Sequence, residues 1–544
     1  MPTNPSSPGT TPACVPGNRW DRLETPGPAE VAAVGVTVVV PASPDPARWD
    51  LVVAGLRAQQ HPVERLEVVV IGGDDQRQAL AAGFPGCPVR AVTPAPGPAG
   101  AWSARNLAAR EATHPVVLFL DADQLPVPGL VAAHARWHAS GGPVAVLGRD
   151  ATLDRDPVAD RTEPGGGGGP TPSAADRLVA ELPTDAGDPP GWVTGVLLRT
   201  DDLRSDASDI FRVVTSGNLS VERDTFEVAG GYWPDLVRAG ADDPDLGFRL
   251  LEAGALLVPE PTAVAWRLPG PHDEGRGTPG AGPPPSRSVR EAQLAQRVAH
   301  PTHRRGVTGR VHALPRWTVV VDPGEAELEA MVATVESVLA ADTPDLRIHL
   351  GLPAAADAAA WVAAAFGPDP RIVVDPADEP RSPLRLHLPA GWALEPGSLD
   401  SLDGLLDVPS EPVGVLRLTL PGCPPGVQHA VASRTRALAR GRRCRPDAPL
   451  EAAASLFGIR WVSGRDVGLH PVAPGGDRVT ATAAAREPQD GSGDDELRAL
   501  MDTLAALPPP ERQAVLQAAR AVLDAPDPLR RAAVRAARLV GRRG

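Results

Sequence analysis

Runs of apolar residues alternate with segments of helical periodicity in the first part of the chain. Residues 34–40, 66–71 and 116–120 are short, almost continuous apolar runs, a pattern typical of strands that are buried on both faces of a sheet. Between these runs, residues 46–60 and 101–113 carry apolar side chains at helical spacing. Strands that alternate with helices predict a doubly wound α/β sheet, in which ligands bind at the carboxyl ends of the strands.

The same pattern recurs in the second part of the chain. Residues 317–321 resemble the first strand, and residues 346–350 stand where the second strand stood. Residues 385–399 repeat the third strand and the turn after it, but Pro389-Ala390-Gly391 replace Asp121-Ala122-Asp123. We therefore predict a duplicated α/β unit, whose second copy is not catalytic because its strand-end carboxylates are missing.

Segments of biased composition separate these units. Residues 155–175, which include five consecutive glycines, and residues 269–288, rich in Pro and Gly, are typical of loops. From residue 494 onward the pattern predicts helices. The predicted organisation is a disordered N-terminal segment (1–30), a catalytic α/β domain (31–270), a linker and helix (271–315), a degenerate α/β domain (316–475), a linker (476–493) and a helical C-terminal region (494–544).

Composition and charge narrow the class of protein. Hydrophobic residues make up 42% of the 544 residues, as expected for a globular protein. The formal net charge of −14 argues against an extended surface for nucleic acid. The four cysteines are far apart and form no CxxC pair, so we predict neither a zinc site nor a disulfide framework.

Targeting signals are absent from the sequence pattern. Residues 1–28 lack the basic and apolar regions of a secretory signal, and no apolar run reaches the ~20 residues needed to span a bilayer. We expect a soluble, cytoplasmic protein. Residues 528–543 form a basic amphipathic pattern with two interpretations, contact with an anionic membrane surface or a solvated or partner-packed helix.

The most informative polar residues follow the strand at 116–120. Asp121 and Asp123 are separated by one residue, so they can lean to the same side at the carboxyl end of that strand. Mg²⁺ and Mn²⁺ prefer one or two carboxylates together with phosphate oxygens. The pair can therefore hold a cation against the diphosphate of a nucleotide-sugar, or it can simply cap a turn.

A second acidic segment begins at Asp242. Asp243 precedes Pro244, which is typical of a helix start with Asp as the N-cap and Pro in the first turn. Asp243 can also act as a general base that takes the proton of an acceptor hydroxyl. The two roles are compatible, because a helix N-terminus stabilises a carboxylate.

Six segments, in this order, resemble the inverting family 2 glycosyltransferases of GT-A fold. The resemblance covers about residues 34–267 and rests on Val38-Val-Val-Pro41, Ala104-Arg-Asn106, Phe119-Leu-Asp-Ala-Asp123, Gly217-Asn-Leu-Ser220, Val228-Ala-Gly-Gly231 and Asp242-Asp-Pro-Asp-Leu-Gly-Phe-Arg-Leu250. It implies a duplicated GT-A fold, with a nucleoside diphosphate sugar as donor and a divalent cation, Mg²⁺ or Mn²⁺, as cofactor. It further implies cation and diphosphate binding by Asp121 and Asp123, catalysis by Asp243 with Asp242 beside it, a nucleotide-side position for Arg105 and Asn106, and a place for Asn218 along the sugar and acceptor pocket.

The chain departs from the family pattern at two places. Gly72-Gly73 stand where the family has an acidic turn that binds the nucleotide base, and Asp74 follows two residues late as a substitute. Arg267 stands where relatives often have a histidine that completes the metal site. Arginine cannot ligate a metal, although it can pair with phosphate.

These observations favour one function and leave two alternatives. We expect a metal-assisted glycosyltransferase that uses a UDP-, GDP- or dTDP-sugar and acts in the synthesis of a polysaccharide, glycolipid or glycoconjugate. The first alternative is a GT-A-fold binding or scaffold protein with weakened catalysis, which the two departures motivate. The second is a nucleotidyltransferase, which would need a Gly-rich basic loop after the first strand, and residues 41–45 do not provide one.

Overall fold

The computed structural model describes most of the chain up to residue 472. The described ranges are 14–95, 100–153, 173–187, 189–233, 242–269, 287–304, 310–377, 381–407, 413–421 and 429–472. All of them belong to one compact unit, Met1–Gly476. The predicted helical C-terminal region, its basic helix at 528–543 and most of the two predicted loops lie outside the described residues.

Eight strands and eleven α-helices precede residue 305 in the described ranges. The strands are β1 (Val36–Pro41), β2 (Leu66–Ile71), β3 (Val89–Val92), β4 (Val116–Leu120), β5 (Gln124–Pro126), β6 (Val144–Thr152), β7 (Asn218–Glu222) and β8 (Leu256–Arg267). The helices are α1 (Pro28–Ala33), α2 (Pro46–Arg57), α3 (Asp74–Gly83), α4 (Gly100–Glu111), α5 (Leu130–His138), α6 (Ala174–Glu181), α7 (Gly191–Arg199), α8 (Arg223–Val228), α9 (Asp242–Glu252), α10 (Arg287–Arg297) and α11 (Pro301–Arg304).

Nine further strands and five helices follow between residues 317 and 471. The strands are β9 (Trp317–Asp322), β10 (Leu346–Leu350), β11 (Ile372–Val374), β12 (Leu384–Pro389), β13 (Trp392–Leu394), β14 (Val415–Thr419), β15 (His429–Arg434), β16 (Ile459–Ser463) and β17 (Leu469–Pro471). The helices are α12 (Leu328–Leu339), α13 (Ala356–Phe366), α14 (Ser398–Leu406), α15 (Thr435–Cys444) and α16 (Pro449–Phe457).

Fifteen of the described strands form two mixed sheets with matching topology, and β13 and β17 pair as a separate two-stranded sheet. The first has the order β3-β2-β1-β4-β7-β6-β8-β5, and the second has the order β11-β10-β9-β12-β15-β14-β16. In the first sheet β3, β2, β1 and β4 are parallel and β7 is antiparallel to both β4 and β6; in the second, β11, β10, β9 and β12 are parallel and β15 is antiparallel to both β12 and β14. The prediction of a duplicated α/β fold is confirmed.

The central strands of the first sheet are buried because helices cover both faces. Val39, Val117 and Phe119 point into one core, whereas Val38 and Leu118 point into the core on the other face. A strand with two buried faces needs apolar residues at every position, which explains the continuous runs in the sequence. Fully burying one such side chain stabilises the fold by about 1.5–3 kcal/mol.

Two features join segments of the first half of the chain to the second half. Cys14 and Cys444 form a disulfide, and the nearby Gly17 N donates a hydrogen bond to Leu456 O at 3.2 Å. The expectation that the cysteines form no disulfide is therefore wrong for this pair. Its members are 430 residues apart in sequence, and only the fold brings them together.

A buried ion cluster makes the second connection. Asp206 precedes the short 3-10 helix Ile210–Val213, and its Oδ2 lies 2.8 Å from Arg434 Nη1 and 2.9 Å from Arg436 Nη2. All three side chains are buried. Burial lowers the pKa of Arg434 to about 10, with further lowering by Arg436 and opposition from Asp206.

Within the described ranges, no helix is both long and apolar enough to cross a membrane.

Candidate active site

The candidate site lies where β4 ends and β5 pairs with the end of β8. Asp121 and Asp123 follow β4 directly, as the sequence predicts. The antiparallel pairing of β5 with β8 sets Gln124 opposite Arg267. Leu268 N, just after β8, donates a hydrogen bond of 2.8 Å to Asp123 O, so backbone contacts hold the two segments together. This register brings Arg267 to the two carboxylates.

Asp121 is paired with a buried arginine of α4. Arg105 Nη2 lies 2.6 Å from Asp121 Oδ1, and Arg105 Nη1 donates to Ser216 O at 3.0 Å. The Arg105 side chain is only 4% exposed and stacks over the ring of Trp102. Burial acts to lower its pKa, but the Asp121 carboxylate reverses this effect and holds the pKa above its usual value. Arg105 is therefore charged and holds Asp121 in position, and its predicted contact with the nucleotide stays a prediction.

Asp123 is paired with Arg267. Arg267 Nη1 donates to Asp123 Oδ2 at 2.7 Å, and Arg267 Nη2 lies 3.9 Å from Asp121 Oδ2. Burial raises the pKa of the Asp123 carboxyl, although Arg267 opposes this change. The guanidinium group of Arg267 thus lies beside both predicted metal ligands.

Asp243 lies at the start of α9 and contacts the segment before β7. Its Oδ1 accepts hydrogen bonds from Ser216 N at 2.8 Å and from Ser216 Oγ. The N-terminal end of a helix carries partial positive charge, which stabilises a carboxylate there. Asp242 is the first residue of α9, and its side chain lies outside the described part of the structure.

Residues Ser216 and Gly217 connect the two acidic segments. Ser216 contacts Asp243 through its N and Oγ, and Gly217 O accepts from Asp121 N at 3.0 Å. A Cβ at Gly217 would lie 2.7 Å from Asp121 Oδ2, so any larger residue there would force the Asp121 carboxylate to move. The sequence motif that starts at Gly217 indicated this segment, but the role of Ser216 was missed because a serine before a glycine is common in turns.

The other predicted site residues have structural contacts. The Asn106 side chain accepts from Tyr232 N and donates to Tyr232 O, both at 2.7 Å, and so fixes the backbone after two glycines. Asn218 is fully buried and donates to Ala263 O at 2.8 Å. Asp74 begins α3 and pairs with Arg77 at 3.0 Å, with a side chain 74% exposed. Nucleotide or pocket contacts by these three residues stay predictions.

Two buried histidines form a hydrogen-bonded chain with Asn218 and Ser220. His134 bridges Asn218 Oδ1 and Ser220 Oγ at 2.9 Å each, and His138 Nε2 lies 2.8 Å from the same Ser220 Oγ. Burial lowers the pKa of His134 to about 4, although Asn218 opposes this. Burial and the neighbouring His134 lower the pKa of His138 to about 3. Both histidines are therefore neutral at pH 7.

We expect these histidines to destabilise the protein in acid. The unfolded chain protonates them near pH 6.5, whereas the folded protein does so only near pH 4 and 3. Between these values the unfolded state binds more protons, so the free energy of unfolding decreases as the pH falls. In urea titrations from pH 6 to 4, the free energy of unfolding should fall less steeply for the His138→Asn variant than for the parent, by about 1.4 kcal/mol per pH unit. Equal slopes for the two proteins would contradict neutral burial of His138.

The residues present do not fit the divalent-cation site that the sequence predicts. Each of the two carboxylates already has a guanidinium within hydrogen-bond distance, and Arg267 cannot itself ligate a metal. Within the described ranges, no cluster of three or more His, Cys, Asp or Glu side chains could hold a metal ion. Binding of Mg²⁺ or Mn²⁺ by Asp121 and Asp123 stays a prediction that the two arginines oppose.

Comparison with known proteins gives distant structural likenesses. No family model and no curated protein sequence matches the chain. Among solved structures, a mannosyltransferase from Pyrobaculum calidifontis in complex with GDP-Man and Mn²⁺ shares 19% identity over 52% of this chain and 67% of its own, with a TM-score of 0.31. The S. aureus protein TarS shares 14% over 44% and 38%, with a TM-score of 0.30, and its 1–349 fragment in complex with UDP shares 13% over 49% and 72%, also with a TM-score of 0.30. The chain thus spans 38% of the length of TarS, and similarities this low assign no function to it.

Proposed function

We propose that the first sheet carries a glycosyltransferase site that moves a sugar from a nucleoside diphosphate donor to an acceptor hydroxyl. The observation that supports this most is the convergence of Asp121 and Asp243 through Gly217 and Ser216, with Asp123 beside Asp121 and both facing Arg267. It places a paired-charge cluster suited to a diphosphate next to a carboxylate at a helix N-terminus. The site lies at the carboxyl ends of parallel strands, the usual ligand position in such sheets.

The chemistry that suits this arrangement is a single displacement. The acceptor oxygen forms a bond to the anomeric carbon from the side opposite the phosphate, while the bond from that carbon to the phosphate oxygen breaks. The Asp243 carboxylate takes the acceptor proton, and the nucleoside diphosphate leaves with the bonding electron pair. The product therefore has the inverted anomeric configuration.

The second sheet is not proposed as a catalytic site. Pro389, the last residue of β12, and Gly391 in the turn after it stand in place of the two carboxylates, and Gly391 N donates to Thr334 Oγ1 at 3.0 Å. Three further predictions from the sequence remain part of the proposal. They are a cytoplasmic location, synthesis of a polysaccharide, glycolipid or glycoconjugate, and peripheral membrane contact through residues 528–543.

Donor binding can be tested by thermal shift with UDP-, GDP- and dTDP-sugars. A ligand at 100 times its dissociation constant should stabilise the protein by about 2.7 kcal/mol. Gly217→Ala should reduce the ligand-induced shift, because the new Cβ displaces the Asp121 carboxylate. Gly129→Ala is the matched control, since a Cβ there meets nothing within 4 Å.

The binding or scaffold alternative is favoured by one specific observation, the pairing of both strand-end carboxylates with arginines. A scaffold would bind nucleotide or sugar without transferring it. A donor-induced thermal shift together with an absence of turnover for every donor and acceptor would support this alternative, and an absence of any shift would contradict the donor site itself.

A further inference from the structure

We propose that the guanidinium group of Arg267 takes the place of a divalent cation in this site, so that a nucleoside diphosphate binds without added metal. This inference rests on the proposed function, because it concerns the diphosphate of the same donor. It departs from the metal-assisted mechanism that the sequence resemblance implies.

Arg267 occupies the position that a cation shared by the two carboxylates would need. Its Nη1 lies 2.7 Å from Asp123 Oδ2 and its Nη2 lies 3.9 Å from Asp121 Oδ2. Two strands fix the residue from both sides: β5 sets Gln124 opposite it, and β6 sets Thr152 opposite it. The backbone of Arg267 is therefore fixed by sheet register, and its guanidinium group is held by the two carboxylates.

The formal charges of Asp121 and Asp123 are balanced by the two arginines bonded to them, with Asp150 as a further carboxylate near Arg267. Asp121 and Asp123 contribute two negative charges, and Arg105 and Arg267 contribute two positive charges. Two unpaired carboxylates would repel a diphosphate until a divalent cation neutralised them. Here a cation would have to displace Arg267 and then remain close to its positive charge, which is unfavourable at short range in a partly buried site.

Of the two arginines, Arg267 is the one suited to contact a phosphate. Arg105 is 4% exposed and already contacts Asp121 and Ser216 O, so it acts as a positioning residue. Arg267 is 19% exposed. Its planar group carries five N–H donors in a fork that matches phosphate oxygens, and bonding Asp123 leaves several of them available. A diphosphate can thus be paired by Arg267 while Asp123 holds the guanidinium in position.

The test uses the full chain, treated with EDTA and dialysed, and measures the binding of UDP, GDP and dTDP by calorimetry. For the nucleotide that binds, we expect the dissociation constants in EDTA and in excess Mn²⁺ to agree within about threefold. Arg267→Ala should weaken binding in EDTA by at least about tenfold, and Arg267→Lys should recover part of the loss, since lysine keeps the charge but lacks the fork. Arg199→Ala, at an exposed ion pair with Asp209, is the control and should bind as the parent does.

One further variant tests whether Arg267 stands where a metal ion would bind or only supplies one contact to the phosphate. Arg267→His places a metal-binding side chain beside Asp121 and Asp123, so its nucleotide binding should become dependent on Mn²⁺. The melting temperature of each variant without ligand shows whether it folds. Binding by the parent that requires Mn²⁺ would overturn this inference and leave the proposed function intact. No binding by the parent in either condition would overturn the proposed function and this inference with it.

Discussion

Replacing Asp243 by Asn is expected to lower the rate of sugar transfer by about 10²–10⁴-fold, the usual contribution of a positioned general base. The fold should be unaffected, because the Asn Oδ1 can still accept the hydrogen bonds that Ser216 N and Oγ donate to Asp243. Asp243 is the second residue of α9, so the neutral Asn gives up only the interaction of the carboxylate with the helix dipole, about 0.3–1 kcal/mol. Donor binding should persist, since the Asp121, Asp123 and Arg267 cluster is unchanged.

Two measurements accompany this variant. The donor-induced thermal shift should match that of the parent, and Ser216→Ala should show a smaller loss of rate, because it removes one contact that positions Asp243 but keeps the carboxylate. If Asp243→Asn transfers sugar at the parent rate, Asp243 only anchors Ser216, and the base lies elsewhere, with Asp242 the next residue to test.

The second large effect is expected on stability, at the buried ion cluster that Asp206 forms with Arg434 and Arg436. Asp206→Asn leaves the buried guanidinium groups of Arg434 and Arg436 facing a neutral amide. Removing one partner of a buried ion pair costs about 3–5 kcal/mol, because the remaining charge is desolvated without compensation. Arg434 keeps a weaker contact with Asp407 at 3.4 Å, so we expect a loss of about 3 kcal/mol in the free energy of unfolding.

Asp201→Asn provides the matched control for this loss. Asp201 pairs with Arg204 on the surface, and its side chain is 76% exposed. Exposed pairs of this kind contribute about 0–1 kcal/mol. Urea denaturation of both variants at pH 7 compares the same chemical change in buried and exposed surroundings. Equal losses for the two variants would show that the Asp206 cluster adds no more to the free energy of unfolding than an exposed ion pair does.

Much of the fold follows from local sequence pattern. The bounds of β2, β4 and β10 agree with the predicted segments. β2 and β4 are buried at every position, so apolar residues dominate them, whereas burial alternates along β10 together with its apolar and polar residues. The second sheet was predictable for the same reason, since its strands keep the order and spacing of the first. The convergence of Asp121 with Asp243 followed from the resemblance of their segments to a known family.

What the sequence did not reveal depends on contacts between distant segments. Arg267 meets Asp123 only because β5 pairs with β8 in one particular register, which no local pattern encodes. The Cys14–Cys444 disulfide spans 430 residues and follows from where α15 lies. The contacts of Asn106 with Tyr232 and of Asn218 with Ala263 are of the same kind, and the predicted place of both residues near the ligand stays a prediction.

The central claim is that this site transfers sugar from a nucleoside diphosphate with inversion. Proton NMR of the full chain incubated with UDP-, GDP- and dTDP-sugars and hydroxyl acceptors follows the anomeric signals of donor and product directly. We predict that one donor class yields free nucleoside diphosphate and a product whose first-formed anomer is inverted, and that Asp243→Asn suppresses both. A product with retained configuration, or a donor that binds and stays intact with every acceptor, would contradict the claim.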